Sequence, residues 1–257
     1  MVPLALADEV EVSHGAGTAI QFTCNDPEIP LGSDNLCVKA AEVFLEATGL
    51  EHGLSISLMK RIPHGAGLGG GSSDAAAVLR GLNALFDHPL VAEELHQLAA
   101  RLGSDVPFFF EQGPAWCRGK GEILEPVEAV PERRILLIKP PFPVPTAWAY
   151  KRYAEMQQSL DSAKPDVQSL EGIELINDLE SPVFEKYLLL PVMKEWLRRQ
   201  AGVESAFMTG SGSTMVAILS PGTSDEVLVE LKEKIVAEFG RTMWMTATGW
   251  GGGKAET

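Results

Sequence analysis

Basic residues are scarce in this chain: 21 Lys and Arg stand against 35 Asp and Glu, for a formal net charge of −14 at pH 7. Such a balance argues against nucleic acid or an anionic membrane as a partner. Cysteine is nearly absent as well. Cys24, Cys37 and Cys117 are odd in number and lack metal-ligand spacing, so neither a disulfide framework nor a thiolate metal site is expected, and all three read as reduced thiols. No apolar run reaches the length of a membrane span, and no charged-then-apolar leader opens the chain. A cytoplasmic enzyme is the expectation. Oligomeric state has no signature here.

Glycine is concentrated at one point. Gly65, Gly67, Gly69, Gly70 and Gly71, followed by Ser72 and Ser73, lie between a strand-like run, Leu54 to Lys60, and an Ala-rich helical run expected over Asp74 to Phe86. Glycines let backbone approach a ligand closely, and a helix start offers unpaired N–H groups and the positive end of a dipole. Together they describe a phosphate cradle, against the plainer reading of a Gly-rich solvent loop. The P-loop pattern needs Lys after its last glycine, and here Gly71 is followed by Ser72. The dinucleotide fingerprint matches literally at Gly65, Gly67 and Gly70, but its acid should end a second strand, and Asp87 instead follows a helix. Backbone amides and a few local cations can bind a nucleotide whatever the net charge. Lys60, Arg61 and Arg80 flank the loop and are expected as solvated surface charges.

The run Pro63-His64-Gly65-Ala66-Gly67-Leu68-Gly69-Gly70-Gly71-Ser72-Ser73-Asp74-Ala75-Ala76 resembles the ATP loop of the GHMP kinases. Gly103-Ser104-Asp105-Val106-Pro107-Phe108-Phe109 resembles the family's catalytic-Asp segment, and Met208-Thr209-Gly210-Ser211-Gly212-Ser213-Thr214 its C-terminal Gly-rich motif. The triple glycine before Ser-Ser-Asp is most similar to a branch acting on a cytidine diphosphate ester of methylerythritol in non-mevalonate isoprenoid synthesis. The resemblance implies ATP as donor, Mg²⁺ as its companion and the ester's 2-hydroxyl as acceptor; no metal-ligating residues of the protein's own are expected. Other branches act on a sugar, mevalonate or homoserine, and a nucleotide-binding chain without turnover is a further alternative.

From the residues alone, Asp105 reads equally as a turn former before Pro107 and as a base that makes an alcohol oxygen nucleophilic. The resemblance implies the base. Gly67 to Gly71 are expected to donate N–H groups to phosphates, with Ser72 and Ser73 adding hydroxyl donors, helping hold Mg²⁺, or capping the Asp74 helix. Thr146 and Tyr150 match the segment holding the cytosine end, and Gly210, Ser211 and Gly212 match a segment that approaches substrate or phosphate. Asn35 and Lys60 match positions near the adenine pocket, while His64 is expected to face solvent.

Along the chain, strands are expected at Glu9–Val12 and Ile20–Cys24, and helices at Leu36–Ala47 and Val91–Leu102. Beyond Arg134 come a strand Ile135–Ile138, helices Thr146–Met156 and Glu185–Gln200, strands Ser205–Met208 and Met215–Leu219, a helix Asp225–Phe239 and a strand Thr242–Ala247. That order is a split βαβ, ferredoxin-like arrangement. Gln157–Gly172 is expected as a loop. The fold expected is an α+β two-domain one, residues 1–131 holding ATP and residues 132–257 forming the C-terminal domain, with the site in the cleft between them. The family's opening Pro-Ala-Lys-x-Asn-Leu strand and Tyr-His pair have no counterpart here. Met1 to Val12 resembles the family's next segment, so a chain shortened at its amino end, poorly stable and weakly active, is expected.

Overall fold

The computed structural model describes residues 1–250 apart from 112, 119–122, 128–129 and 159–165. Two compact units emerge: the first holds residues 1–64 and 69–130, the second 65–68 and 131–250. Among the described residues no helix is long and apolar enough to cross a membrane.

In the first unit, β1 (Glu9–His14), β2 (Ile20–Cys24) and β3 (Leu54–Met59) form one sheet in the order β1-β3-β2. The β1–β3 pairing is antiparallel and β2–β3 parallel, so the helix between β2 and β3 is a crossover connection. That helix is α1 (Leu36–Thr48), and Asn35 caps it by accepting from the Cys37 N–H at 2.7 Å. α2 (Gly70–Leu85) and α3 (Ala92–Leu102) follow. Phe44, Ile56, Val78 and Leu82 are fully buried between sheet and helices. A 3-10 turn (Pro107–Phe110) and a hairpin of β4 (Ala115–Arg118) and β5 (Ile123–Pro126) complete the unit.

The second unit carries β6 (Arg133–Lys139), α4 (Thr146–Gln157), a small hairpin of β7 (Gln168–Leu170) and β8 (Ile173–Leu175), then α5 (Glu180–Lys186) and α6 (Leu189–Leu197). β9 (Val203–Met208), β10 (Met215–Leu219), α7 (Asp225–Phe239) and β11 (Trp244–Trp250) come next. The main sheet runs β11-β6-β10-β9 with every pairing antiparallel. This is the ferredoxin-like order expected from the sequence, and the α+β two-domain architecture stands.

Three expectations are corrected. The helix after the glycines begins at Gly70, four residues before Asp74, because Gly69 takes φ 70° and ends the loop there. Ser72 and Ser73 therefore lie inside the first helical turn and do not cap it. The helix expected over Glu185–Gln200 is two, α5 and α6, separated at Tyr187 (φ −105°, ψ 71°). The break leaves Pro191 in the first turn of α6, where its missing N–H matters little; a continuous helix would hold it in the interior. Of the supposed loop Gln157–Gly172, residues 159–165 lie outside the described residues, and Gln168–Leu170 is a strand. The buried Gln168 side chain orders that strand, bonding the Ala206 carbonyl at 2.7 Å and the Ala206 N–H at 3.2 Å.

Candidate active site

The glycine loop is built on an inward-facing polar staple. β3 alternates, burying Leu54, Ile56 and Leu58, and that period of two carries Lys60 inward as well. On α2, Asp74, Val78 and Leu82 share the buried face at helical spacing. Lys60 Nζ lies 2.5 Å from Asp8 and 2.9 Å from Asp74, and all three side chains are buried. Lys60 is thus not the solvated charge expected from the sequence, because two carboxylates compensate its desolvation. Arg61 and Arg80 are exposed as expected. The other Asp8 oxygen accepts from the N–H groups of Arg61 (2.5 Å) and Ile62 (2.8 Å). Burial, partly offset by Lys60, raises the Asp74 pKa to about 7. For Lys60, burial acts downward, but the two carboxylates prevail and the pKa rises.

Along the loop, Pro63 and Gly67 to Gly70 are half-buried, Ala66 is buried, and His64, Gly65 and Gly71 are exposed. The first intrahelical bond of α2 runs from the Ser73 N–H to the Gly69 carbonyl, at 2.9 Å. The N–H groups of Gly70, Gly71 and Ser72 therefore have no intrahelical acceptor, and they stand at the positive end of the helix dipole. Ser73 Oγ donates back to the Gly70 carbonyl at 2.9 Å, whereas Ser72 Oγ makes no hydrogen bond among the described residues. Gly69 has to be glycine for two reasons: its φ is positive, and an added Cβ would lie 2.9 Å from the Phe109 ring.

Phe109 also links the loop to Asp105. The turn Ser104–Val106 is closed by the Val106 N–H to the Gly103 carbonyl at 3.2 Å, and Arg80 on α2 holds the Phe109 carbonyl at 3.1 Å. Asp105 sits half-buried on this turn, within the same unit as the start of α2. Its carboxylate accepts no hydrogen bond among the described residues, and burial raises its pKa.

In the second unit, Gly65–Leu68 meets the C-terminal glycine turn. A Cβ on Gly67 would lie 2.7 Å from the Gly212 and Thr209 carbonyl oxygens, so only glycine permits this approach. Thr146, opening α4, shares a 2.9 Å hydrogen bond with the buried Ser211 hydroxyl. The structure brings Thr146, Gly210, Ser211 and Gly212 together with Gly67. Tyr150, one turn along α4, is exposed.

Residues 35–113 match the family model "GHMP kinases N terminal domain", and residues 160–237 match "GHMP kinases C terminal". The chain belongs to the GHMP kinases. It is an ATP-dependent small-molecule kinase of that family. This GHMP kinase is 47% identical over 223 residues to the 4-diphosphocytidyl-2-C-methyl-D-erythritol kinase of Methylacidiphilum infernorum (isolate V4), covering 86% of the present chain and 76% of that protein. A crystal structure of a 4-(cytidine 5'-diphospho)-2C-methyl-D-erythritol kinase superposes with TM-score 0.77 at 35% identity, over 98% of this chain and 89% of the other. A mevalonate kinase structure superposes with TM-score 0.67 over 97% of this chain and 91% of its own, but at 13% identity that likeness concerns the fold alone.

Sequence reasoning missed Asp8 and Asp74, and with them the true place of Lys60. The alternation of β3 and the spacing of α2 carried the signal for two of the three. Asp8 precedes the sheet and had none.

Proposed function

We propose that this kinase transfers the γ-phosphoryl group of ATP to the 2-hydroxyl of 4-diphosphocytidyl-2-C-methyl-D-erythritol, in the cytoplasm. The observation that carries the reading is Asp105. It is a half-buried carboxylate with no hydrogen-bond donor among the described residues, on a turn anchored through Phe109 to the start of α2. A carboxylate so placed is free to accept the proton of an alcohol as its oxygen attacks phosphorus. The substrate assignment rests on likeness to the relatives named above.

In this reading residues 1–131 form the nucleotide-binding domain and residues 132–257 the C-terminal domain. Pro63 to Ser73 wrap the phosphates, the free N–H groups at the α2 start donating to their oxygens while the dipole offsets their charge. Thr146, Tyr150, Gly210, Ser211 and Gly212 hold the cytidine ester, with Tyr150 offering a ring to the pyrimidine. Mg²⁺ would be carried by the nucleotide. No group of three or more His, Cys, Asp or Glu among the described residues could cage it, and Asp74 is engaged by Lys60. Ser72 Oγ, which makes no hydrogen bond among the described residues, is an oxygen open to it at the start of α2. Bound there, Mg²⁺ would neutralise charge on the phosphate oxygens.

The test is a substrate panel on the purified chain, offering ATP with the cytidine ester, mevalonate, homoserine and galactose. Phosphorylation of the ester alone is expected. Turnover of another acceptor at a higher kcat/KM would replace this assignment.

A further inference from the structure

Two carbonyl oxygens of the C-terminal glycine turn converge on one side-chain amide. Asn177, between β8 and α5, donates from Nδ2 to the Met208 carbonyl at 2.6 Å and to the Gly210 carbonyl at 2.9 Å. Its Oδ1 accepts from the Leu179 N–H at 3.0 Å. Only this orientation satisfies all three bonds, because the flipped amide would set oxygen against two carbonyls. Behind it, Glu180 accepts from the Met208 N–H at 2.8 Å and pairs with the buried Lys194, which also reaches Asp166 at 2.8 Å.

A trans peptide points its carbonyl and the following N–H to opposite sides. Holding the Gly210 carbonyl therefore aims the Ser211 N–H away from Asn177. That N–H makes no hydrogen bond among the described residues. The Gly210–Ser211 peptide is the central one of a turn closed by the Gly212 N–H to the Thr209 carbonyl at 2.9 Å, a closure that either orientation of that peptide satisfies, and glycine at φ 52° has no side chain to resist the rotation.

We propose that Asn177 is a positioning residue for phosphoryl transfer: it locks the Gly210–Ser211 peptide so that the Ser211 N–H faces a phosphate oxygen of the bound cytidine ester. The proposal rests on the reading that Gly210–Gly212 contacts substrate. A peptide free to flip would present a carbonyl to that anion in place of a donor, which weakens binding and turnover while leaving the fold intact.

The deciding variant is Asn177→Asp, which keeps the acceptor for Leu179 but turns a second oxygen on the two carbonyls. Its KM and calorimetric Kd for the cytidine ester should rise about 10-fold or more at about pH 8, a value of one lost hydrogen bond. Toward about pH 5 the protonated carboxyl regains one donor, so the deficit relative to the unaltered protein should shrink. A role confined to capping α5 would show neither effect. If Asn177→Asp does not fold, Asn177→Ser serves, since its hydroxyl can cap Leu179 but cannot span both carbonyls. Gly210→Ala disturbs the same peptide and also sets a Cβ 2.8 Å from the Gly67 carbonyl, so the comparison is made on the Kd for the ester without nucleotide, where the double variant should be no worse than the poorer single one. If Gly210→Ala is impaired and Asn177→Asp is not, or if the two effects add, Asn177 does not act through this peptide and the proposal fails. If neither variant is impaired, or the unaltered protein does not bind the ester, the substrate-contact reading falls and the proposal with it.

Discussion

At position 105 burial raises a carboxylate's pKa and no donor lowers it again, so the charged form is held at some expense of stability. Replacing Asp105 with Asn should lower kcat by roughly 10²–10⁴, the range for loss of a general base. ATP affinity measured by calorimetry should stay within about 2-fold, and the melting temperature should hold or rise, because an uncompensated charge has left a half-buried site. Loss of ATP binding in parallel with turnover would assign the carboxylate a structural role. On the proposed reading Asp105 is the base; with its pKa raised it is protonated at a higher pH than an ordinary carboxylate, so activity should begin to fall at a correspondingly higher pH as the solution is acidified. Asp74 has a pH signature of another kind. With a folded pKa of about 7 against an ordinary value of 3.8, the native state binds the extra proton between those limits. Its contribution to stability is therefore full below the lower value and is lost as pH rises through the upper. The melting-temperature advantage of the unaltered protein over Asp74→Asn should shrink from about pH 5 to about pH 8. A constant difference would show that Asp74 does not titrate in that window. Asp105 was legible in the sequence as a candidate because Gly-Ser-Asp-Val-Pro is a compact local signal. Asn177 was not: its two carbonyl partners lie 31 and 33 residues away, and an Asn between helix and strand signals looks like any turn residue.

Among the elements, α2 shows what a pattern can and cannot specify. The Ala-rich run fixed its course and end, but its start depended on which glycine would take the left-handed conformation, and five were on offer. The split of α5 from α6 was foreshadowed by Pro191, whose meaning became plain only with the helix start beside it. Glycines of equal φ can still differ in what surrounds them. Gly49, capping α1 at φ 68°, has open space where a Cβ would go, whereas Gly67 at φ 72° faces two backbone carbonyls at 2.7 Å. An alanine at either position carries the left-handed penalty of about 1–2 kcal/mol. Only Gly67→Ala adds a clash with backbone that cannot rotate aside. Gly49→Ala should therefore lower the melting temperature with KM for ATP unchanged, and Gly67→Ala should lower it further and raise that KM several-fold. Equal thermal losses, or an unchanged KM in Gly67→Ala, would detach Gly67 from nucleotide binding.

For the whole molecule, net charge and ligand charge have the same sign. The chain carries −14 at pH 7, and ATP and a cytidine diphosphate ester are both polyanions, so the long-range field opposes their approach. On the proposed reading the attraction that overcomes it is local: amides at the start of α2 and the dipole behind them act within a turn or so, with Lys60 tied up by Asp8 and Asp74. These two contributions respond differently to salt. A Debye length of about 30 Å at 0.01 M shrinks to about 8 Å at 0.15 M, which screens the distant acidic surface but hardly touches hydrogen bonds at contact. Raising monovalent salt across that range should therefore raise kcat/KM for ATP modestly, by about 2- to 5-fold, with kcat unchanged. Steady-state kinetics at constant free Mg²⁺ would measure it. A kinase gripping phosphate with exposed lysines would lose affinity instead, so a fall in kcat/KM would mean that mobile cations, rather than the glycine loop's fixed amides, supply the grip.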